Sequence, residues 1–143
     1  MALSLEIITP EGVAWHSQEN LAMITLPAAS GEVGIMAGHI PLITKLDEGA
    51  VLVSKTDGST ESIAIDKGYA RCMGDVVSVL TEAAIDVSKL TDADIAKAKQ
   101  EALDAAEKAR GDADVDFDEL QRLESLVRFT IAQELAKSKK PSR

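Results

Sequence analysis

The chain has 143 residues, enough for one ordinary domain or two small ones, and 45% of them are apolar. Aromatics make up only 3%, so Val, Ile, Leu, Met and Ala must fill the core. A net charge of −9 argues against a general nucleic-acid binder, and no apolar run approaches the roughly 20 residues needed to cross a bilayer.

The first residues lack a basic region followed by an apolar one, and they are neither Arg-rich nor Ser-rich, so neither a signal peptide nor a transit peptide is expected. Strand signals begin at once. Leu3, Leu5 and Ile7 alternate with Ser4 and Glu6, and Ala22, Ile24 and Leu26 form a second alternating run. Next comes Gly31-Glu32-Val33-Gly34-Ile35-Met36-Ala37-Gly38-His39-Ile40-Pro41-Leu42-Ile43-Thr44. Its three glycines permit positive φ and close approach, and Pro41 stops a central strand from running through it. We read it as a shaped loop between strands. It is no Walker A loop, since no Gly-Lys-Ser/Thr closes it, and its glycines do not follow dinucleotide-binding spacing. His39 has no cysteine, second histidine or carboxylate at ligand spacing, which favours a local hydrogen bond fixing the turn into Pro41.

Val51 and Val53 precede Thr56-Asp57-Gly58-Ser59, and Ile63 and Ile65 follow, which reads as a hairpin. Gly74-Asp75 separates Tyr69–Met73 from the run Val76–Leu80. Short strands with turn signals every 8–12 residues predict a β-sandwich or barrel over residues 1–86. Cys72, the only cysteine, lies in a strand-like segment and reads as a small core residue in a reducing compartment.

The period then changes. Thr91 with Asp94 three residues on predicts a capping box. Ile95, Ala98, Ala102, Ala105, Ala106 and Ala109 share one helical face, and Gly111 stops that helix. An alanine seam buries little carbon, at about 0.8 kcal/mol per CH₂, so the docking of this helix on the sandwich should be reversible. The aspartates of 112–118 resemble a calcium loop. Counting from Asp112, however, puts Phe117 in the turn-glycine place and Leu123 in the place of the bidentate Glu, so a cap by Asp116 or Asp118 is expected instead. A second helix is predicted from about Asp118 to Lys139, with its main stripe at Leu120, Leu123, Val127, Ile131 and Leu135. Leu126 and Phe129 fall off the stripe beside Arg122 and Gln133. That second face either packs on the β domain or is held for another protein. No Gly-x-Ser-x-Gly elbow and no clustered histidines point to catalysis.

Charge divides with the pattern. Residues 1–86 carry four Lys/Arg against twelve Asp/Glu, and residues 87–143 eleven against twelve. From 122 on, six basic residues (Arg122, Arg128, Lys137, Lys139, Lys140, Arg143) face only Glu124 and Glu134. Such an end complements a helix dipole or docks on an acidic partner.

The glycine motif resembles that of one family, the epsilon subunit of bacterial F-type ATP synthases. Ile8-Thr9-Pro10, Gly49, Lys67-Gly68-Tyr69 and Val79–Ile85 extend the likeness over nearly the whole chain, with Ala37 where Pro is common and Lys67 where Gly is common. The resemblance implies an α+β fold: an N-terminal antiparallel β-sandwich over 1–86, then a C-terminal two-helix antiparallel hairpin over 87–143. It implies a noncatalytic rotor subunit in the central stalk, coupling ion flow to ATP synthesis from the cytoplasmic face of the inner membrane, peripheral and attached only through the complex. Its partners would be the gamma subunit, the c-ring, and the alpha and beta subunits, with no nucleic acid. Gly31, Glu32, Gly34, Gly38, His39 and Pro41 would meet the c-ring or gamma. Arg122, Leu126, Arg128, Phe129 and Gln133 would touch beta or gamma when the hairpin extends and inhibits ATP hydrolysis. Some family members bind ATP through Ile/Leu-Asp-x-x-Arg-Ala. The nearest match is Ala93-Asp94-Ile95-Ala96-Lys97-Ala98, where Lys97 cannot make the bidentate phosphate contact of an Arg. No cofactor is therefore expected, and at most weak regulatory ATP at Asp94 and Lys97. A stand-alone β-sandwich adaptor or ligand-binding module with a helical arm is the second reading.

Overall fold

A computed structural model describes residues 2–17 and 19–138. Ten strands come first: β1 (Ser4–Thr9), β2 (Gly12–His16), β3 (Leu21–Ala28), β4 (Gly31–Ile35), β5 (Leu42–Leu46), β6 (Gly49–Lys55), β7 (Thr60–Ile65), β8 (Gly68–Met73), β9 (Val76–Thr81) and β10 (Ala84–Asp86). A single 3₁₀ turn, Val87–Lys89, leads to α1 (Asp92–Arg110) and α2 (Phe117–Ser138).

The strands form two layers. One runs β10-β7-β6-β3-β4 and the other β5-β8-β9-β1-β2, joined through the pair Ala28↔Leu46 of β3 and β5. Alternation decides what lies between them. Leu5 and Ile7 of β1, Ala70 and Cys72 of β8, and Val77 and Val79 of β9 point inward from one layer. Ile24 and Leu26 of β3, Val51 and Val53 of β6, and Ile63 and Ile65 of β7 point inward from the other. Each fully buried Leu, Ile or Val adds about 1.5–3 kcal/mol of transfer free energy, so this aliphatic core needs no aromatics. Among the described residues all pairings are antiparallel except one: β1 lies parallel to β9, with Ser4 opposite Val76 and Ile8 opposite Leu80.

The turns follow their residues. Asp57 Oδ1 accepts from Ser59 N at 2.8 Å in the β6–β7 hairpin. Gly74 and Asp75, at φ +59° and +66°, form the β8–β9 turn that needs two left-handed residues. The glycine motif is only partly a loop. Gly31–Ile35 is the strand β4, Ile35 is fully buried, and the loop proper is 36–41.

Thr91 and Asp94 make the predicted capping box, each side chain accepting from the other's backbone N–H at 3.0–3.2 Å. Gly111 ends α1 in an ordinary right-handed conformation, not as a left-handed cap. Asp116 caps α2, its Oδ1 accepting from Asp118 N. The helices are antiparallel, with Lys99 Nζ 2.9 Å from Glu134 and Arg110 Nε 3.2 Å from Glu124.

Two expectations about these helices need correction. It is α2, not the alanine-faced α1, that docks on the sandwich. α2 covers β6 and β7, and α1 packs on α2 alone among the elements in substantial contact. The stripe Leu120–Leu135 is not the buried face of α2 either. Val127, Thr130, Ala132, Gln133 and Ala136 are buried, while Ile131 and Leu135 are exposed. The reason is partner size. Phe129 and Ala136 sit on Ala50, Ala64 and Val87, with Ile85 beside them, a shallow bed set by the two alanines. On α2's other flank, Val127 and Leu123 meet Ala102 and Ala106 of α1. Ala98 is only half-buried and Ala105 is exposed, so the α1 seam is narrower than its spacing implied.

Candidate functional site

Two surfaces are distinguished by chemistry. The first is the outer face of the β5–β8–β9 layer and the end of the sandwich beside it. Register places Ile43 opposite Arg71, Lys45 opposite Tyr69, Tyr69 opposite Leu80, and Met73 opposite Val76. Tyr69, Met73, Val76 and Leu80 are about half exposed and Ile43 is 74% exposed. Clustered apolar exposure of this kind marks an interaction surface. The helices lie on the opposite layer and cover none of it. Its cations also segregate. Lys45, Lys67 and Arg71 belong to this side, whereas Lys55, the fourth base of the sandwich, pairs with Glu19 and Glu61 elsewhere.

At one end of this face stands the loop 36–41. Gly38 has φ +86°, and its N–H donates to Asp75 Oδ1 at 2.7 Å, tying the loop to the β8–β9 turn. Ser4 N–H donates to the carbonyl of the same Asp75. His39 N–H closes a turn onto Met36 O, and its Nδ1 lies 2.7 Å from Ile40 O, the local bond expected of it. Met36 and Ile40 therefore project from a braced loop, at 59% and 75% exposure. Gly31, Glu32, Gly34 and Pro41 are exposed nearby, but Gly31, Glu32 and Gly34 belong to β4. The expected cluster is thus one hairpin edge plus one loop. The apolar tips Met36 and Ile40, and the strand residues Tyr69, Met73, Val76 and Leu80, do not stand out by motif or spacing. A signal was nonetheless present: 76–80 is apolar on both faces, although a sandwich strand needs only one.

The second surface is α2. Arg122 is exposed and bonds Glu119 one turn back. Leu126 is exposed, whereas Phe129 and Gln133 are turned into the molecule. Arg128 lies 3.6 Å from Glu48, at the start of β6. The five residues grouped by sequence are therefore split between solvent, an ion pair and a packed interface. Lys139, Lys140 and Arg143 fall outside the described residues.

Asp94 is held by its cap. Its hydrogen bonds to Thr91 keep the carboxyl below its usual value. Lys97 is exposed one turn on. The groove of about 680 Å³ between the helices is lined by Lys99 and Glu134, not by Asp94 or Lys97. Burial, and then the charge of Asp75, push the Cys72 thiol up, as befits a packing residue. Among the described residues, no three His, Cys, Asp or Glu side chains gather as for a metal, and no helix is long and apolar enough to cross a membrane.

This sandwich with its helical hairpin defines a class. Residues 2–87 match the sequence model of the ATP synthase Delta/Epsilon chain beta-sandwich domain. The chain is 38% identical to the ATP synthase epsilon chain of Campylobacter lari over 78% of its own length and 84% of that relative. It is 33% identical to that of Bacillus pumilus over 91% of its length and 96% of the relative. The chain belongs to the ATP synthase epsilon-chain family, and so is a component of that complex rather than its catalytic subunit. In solved structures the fold recurs in the Euglena gracilis mitochondrial ATP synthase OSCP/F1/c-ring assembly, at TM-score 0.69 and 23% identity over 95% of this chain and 81% of that one. A weaker likeness, TM-score 0.51 at 10% identity over 64% and 72%, is to the central stalk and c-ring of the Tetrahymena thermophila enzyme.

Proposed function

We propose that this chain is a noncatalytic rotor subunit in the central stalk of a bacterial F-type ATP synthase, peripheral on the cytoplasmic face of the inner membrane. It couples ion passage through the c-ring to ATP synthesis, and its hairpin restrains ATP hydrolysis. The observation that carries this reading is the uncovered apolar face of β5, β8 and β9. A rotor component must be gripped hard enough to transmit torque, and Ile43, Tyr69, Met73, Val76 and Leu80 offer such a grip to the gamma subunit. The braced tip of Met36, Ile40 and Pro41, with Glu32, would then rest on the c-ring. The exposed Arg122 and Leu126, together with Arg128, Phe129 and Gln133 once α2 leaves the sandwich, would meet gamma and acidic segments of the alpha–beta ring.

Replacing Leu80 by Asp tests the carrying observation. Losing one buried Leu at an interface weakens binding by about 1.5–3 kcal/mol, roughly 10- to 100-fold. Gamma should therefore fail to co-purify with the Leu80→Asp chain while the chain stays folded. Unchanged gamma binding would remove this face from the stalk. A wild-type chain that recovers no gamma, alpha or beta from membranes would favour a free-standing adaptor. We also propose that ATP binds weakly, because Asp94 is already engaged by Thr91 and Lys97 replaces an arginine. Calorimetry showing micromolar affinity that is lost in Asp94→Ala would overturn this.

A further inference from the structure

Among the described residues, three buried side-chain polar atoms lack a hydrogen-bond partner: Glu48 Oε2, Ser62 Oγ and Arg128 Nε. All three lie where α2 meets the sheet. Glu48 precedes β6 and shares the face of Ala50. Ser62 of β7 stands opposite Leu52, two residues from Ala64 on the face that receives Phe129 and Ala136. The sandwich interior holds none of them. A buried polar atom without a partner costs about 1–3 kcal/mol, and folded proteins ordinarily avoid it.

The Glu48–Arg128 pair makes the point sharper. At 3.6 Å, Nε to Oε1 is a charge contact but not a hydrogen bond. Arg128 spends its hydrogen bond on Ser125 of its own helix, at 2.8 Å. A further polar link from the hairpin to the rest of the chain is the long contact of Lys137 Nζ with Val87 O, at 3.4 Å. The apolar bed beneath is shallow: Ala50, Ala64 and Val87, with the half-buried Ile85 beside them. We propose that Glu48, Ser62 and Arg128 form the release device of the hairpin. Docked, the pair gives register and holds Arg128 away from other carboxylates. Undocked, all three groups recover water, and Arg128 becomes available to an acidic partner. The latch itself follows from the geometry; its regulatory meaning rests on the function proposed above.

The test uses the full chain carrying Ala136→Cys. Ala136 is 1% exposed on the face of α2 turned to the sheet, so a thiol there reacts with N-ethylmaleimide only on undocking. Cys72, 2% exposed in the sandwich core, reports global unfolding in the same sample. Adding Glu48→Ala leaves a half-buried guanidinium unpaired and should speed labelling at position 136 about tenfold, with Cys72 unchanged. Replacing both partners, Glu48→Leu with Arg128→Met, should instead slow labelling below that of the Ala136→Cys parent, because paired apolar replacement removes the unmet polar groups. A double replacement that also speeds labelling would mean that the interface is satisfied by ordered water and that the pair is ordinary glue. That result overturns the proposal, as would reaction of positions 72 and 136 in step. Neither readout depends on the synthase. A latch that behaves as described, with hydrolysis indifferent to the hairpin, would refute the inhibitory reading and leave the latch standing.

Discussion

Single residues fix this fold where the backbone leaves no room. A Cβ built on Gly68 would lie 1.9 Å from Leu80 O and 2.9 Å from Leu80 C, where β8 crosses onto β9. Backbone, not a flexible side chain, would have to move. Gly68→Ala should therefore cost about 3–5 kcal/mol in denaturant unfolding, at the extreme of single substitutions. Gly38 is a different case, since φ is +86° but nothing lies within 4 Å of its missing Cβ. Gly38→Val should fold with a smaller penalty of about 1–3 kcal/mol and lose loop geometry instead. Asp75→Ala probes the same brace from its other end. It removes the carboxylate that accepts from Gly38 N–H, so that amide should exchange about tenfold faster, consistent with losing a hydrogen bond to a charged group. An unchanged rate would mean that the loop keeps its shape without the tie.

Among the elements, those governed by local chemistry are legible in the residues themselves. Asp57-Gly58 and Gly74-Asp75 mark their hairpins because Gly58 in the one, and Gly74 with Asp75 in the other, are left-handed, and Thr91 with Asp94 marks the start of α1. Thr91→Ala should cost about 1 kcal/mol of helix stability, seen as earlier fraying of α1. Acid should act at the same places. Asp94, hydrogen-bonded to Thr91, and Asp57, hydrogen-bonded to Ser59, both titrate below 3.8 in the folded chain. Their contributions are complete above that value and are lost as pH falls through the lower folded values. Amide shifts at the start of α1 and in the β6–β7 turn should each move in an acid titration, below the ordinary carboxylate range. The face of α2 is not legible in the same way, because hydrophobic period weighs Leu135 above Ala136 while the sheet selects by fit. Ala50 and Ala64 leave a shallow bed that Phe129 fills, and Gln133 is carried in beside it. The outer face of β8 and β9 is hidden for a related reason. Alternation marks the residues a strand buries, and it does not distinguish an apolar residue left outside by chance from one held for a partner.

For the whole molecule, the main core draws only on residues of the strands and their flanks, from Leu3 to Val79, and the hairpin adds separate small clusters. Removing residues 88–143 should therefore leave a sandwich that still assembles into the rotor, while hydrolysis by the reconstituted complex rises severalfold. Full assembly with unchanged hydrolysis would confine the chain to the stalk role. Reversing charge at Arg122 and Arg128 should give part of the same rise, more visibly at low salt, where screening is weakest.

The single parallel pairing has a consequence for how the chain is made. Ser4 must find Val76, 72 residues away, and a parallel partner cannot be reached by a tight turn. During synthesis at about 5–20 residues per second, β1 waits roughly 4–14 seconds before its second neighbour, β9, exists. Throughout that interval β1 has only its hairpin partner β2, and the edge that carries Leu3, Leu5 and Ile7 toward β9 stays open on an unfinished layer. α1 and α2 need only each other's near neighbours in sequence and can form in microseconds once translated. The order of completion therefore runs against the order of the chain: β1, made before the other nine described strands, is among the last to be secured on both edges.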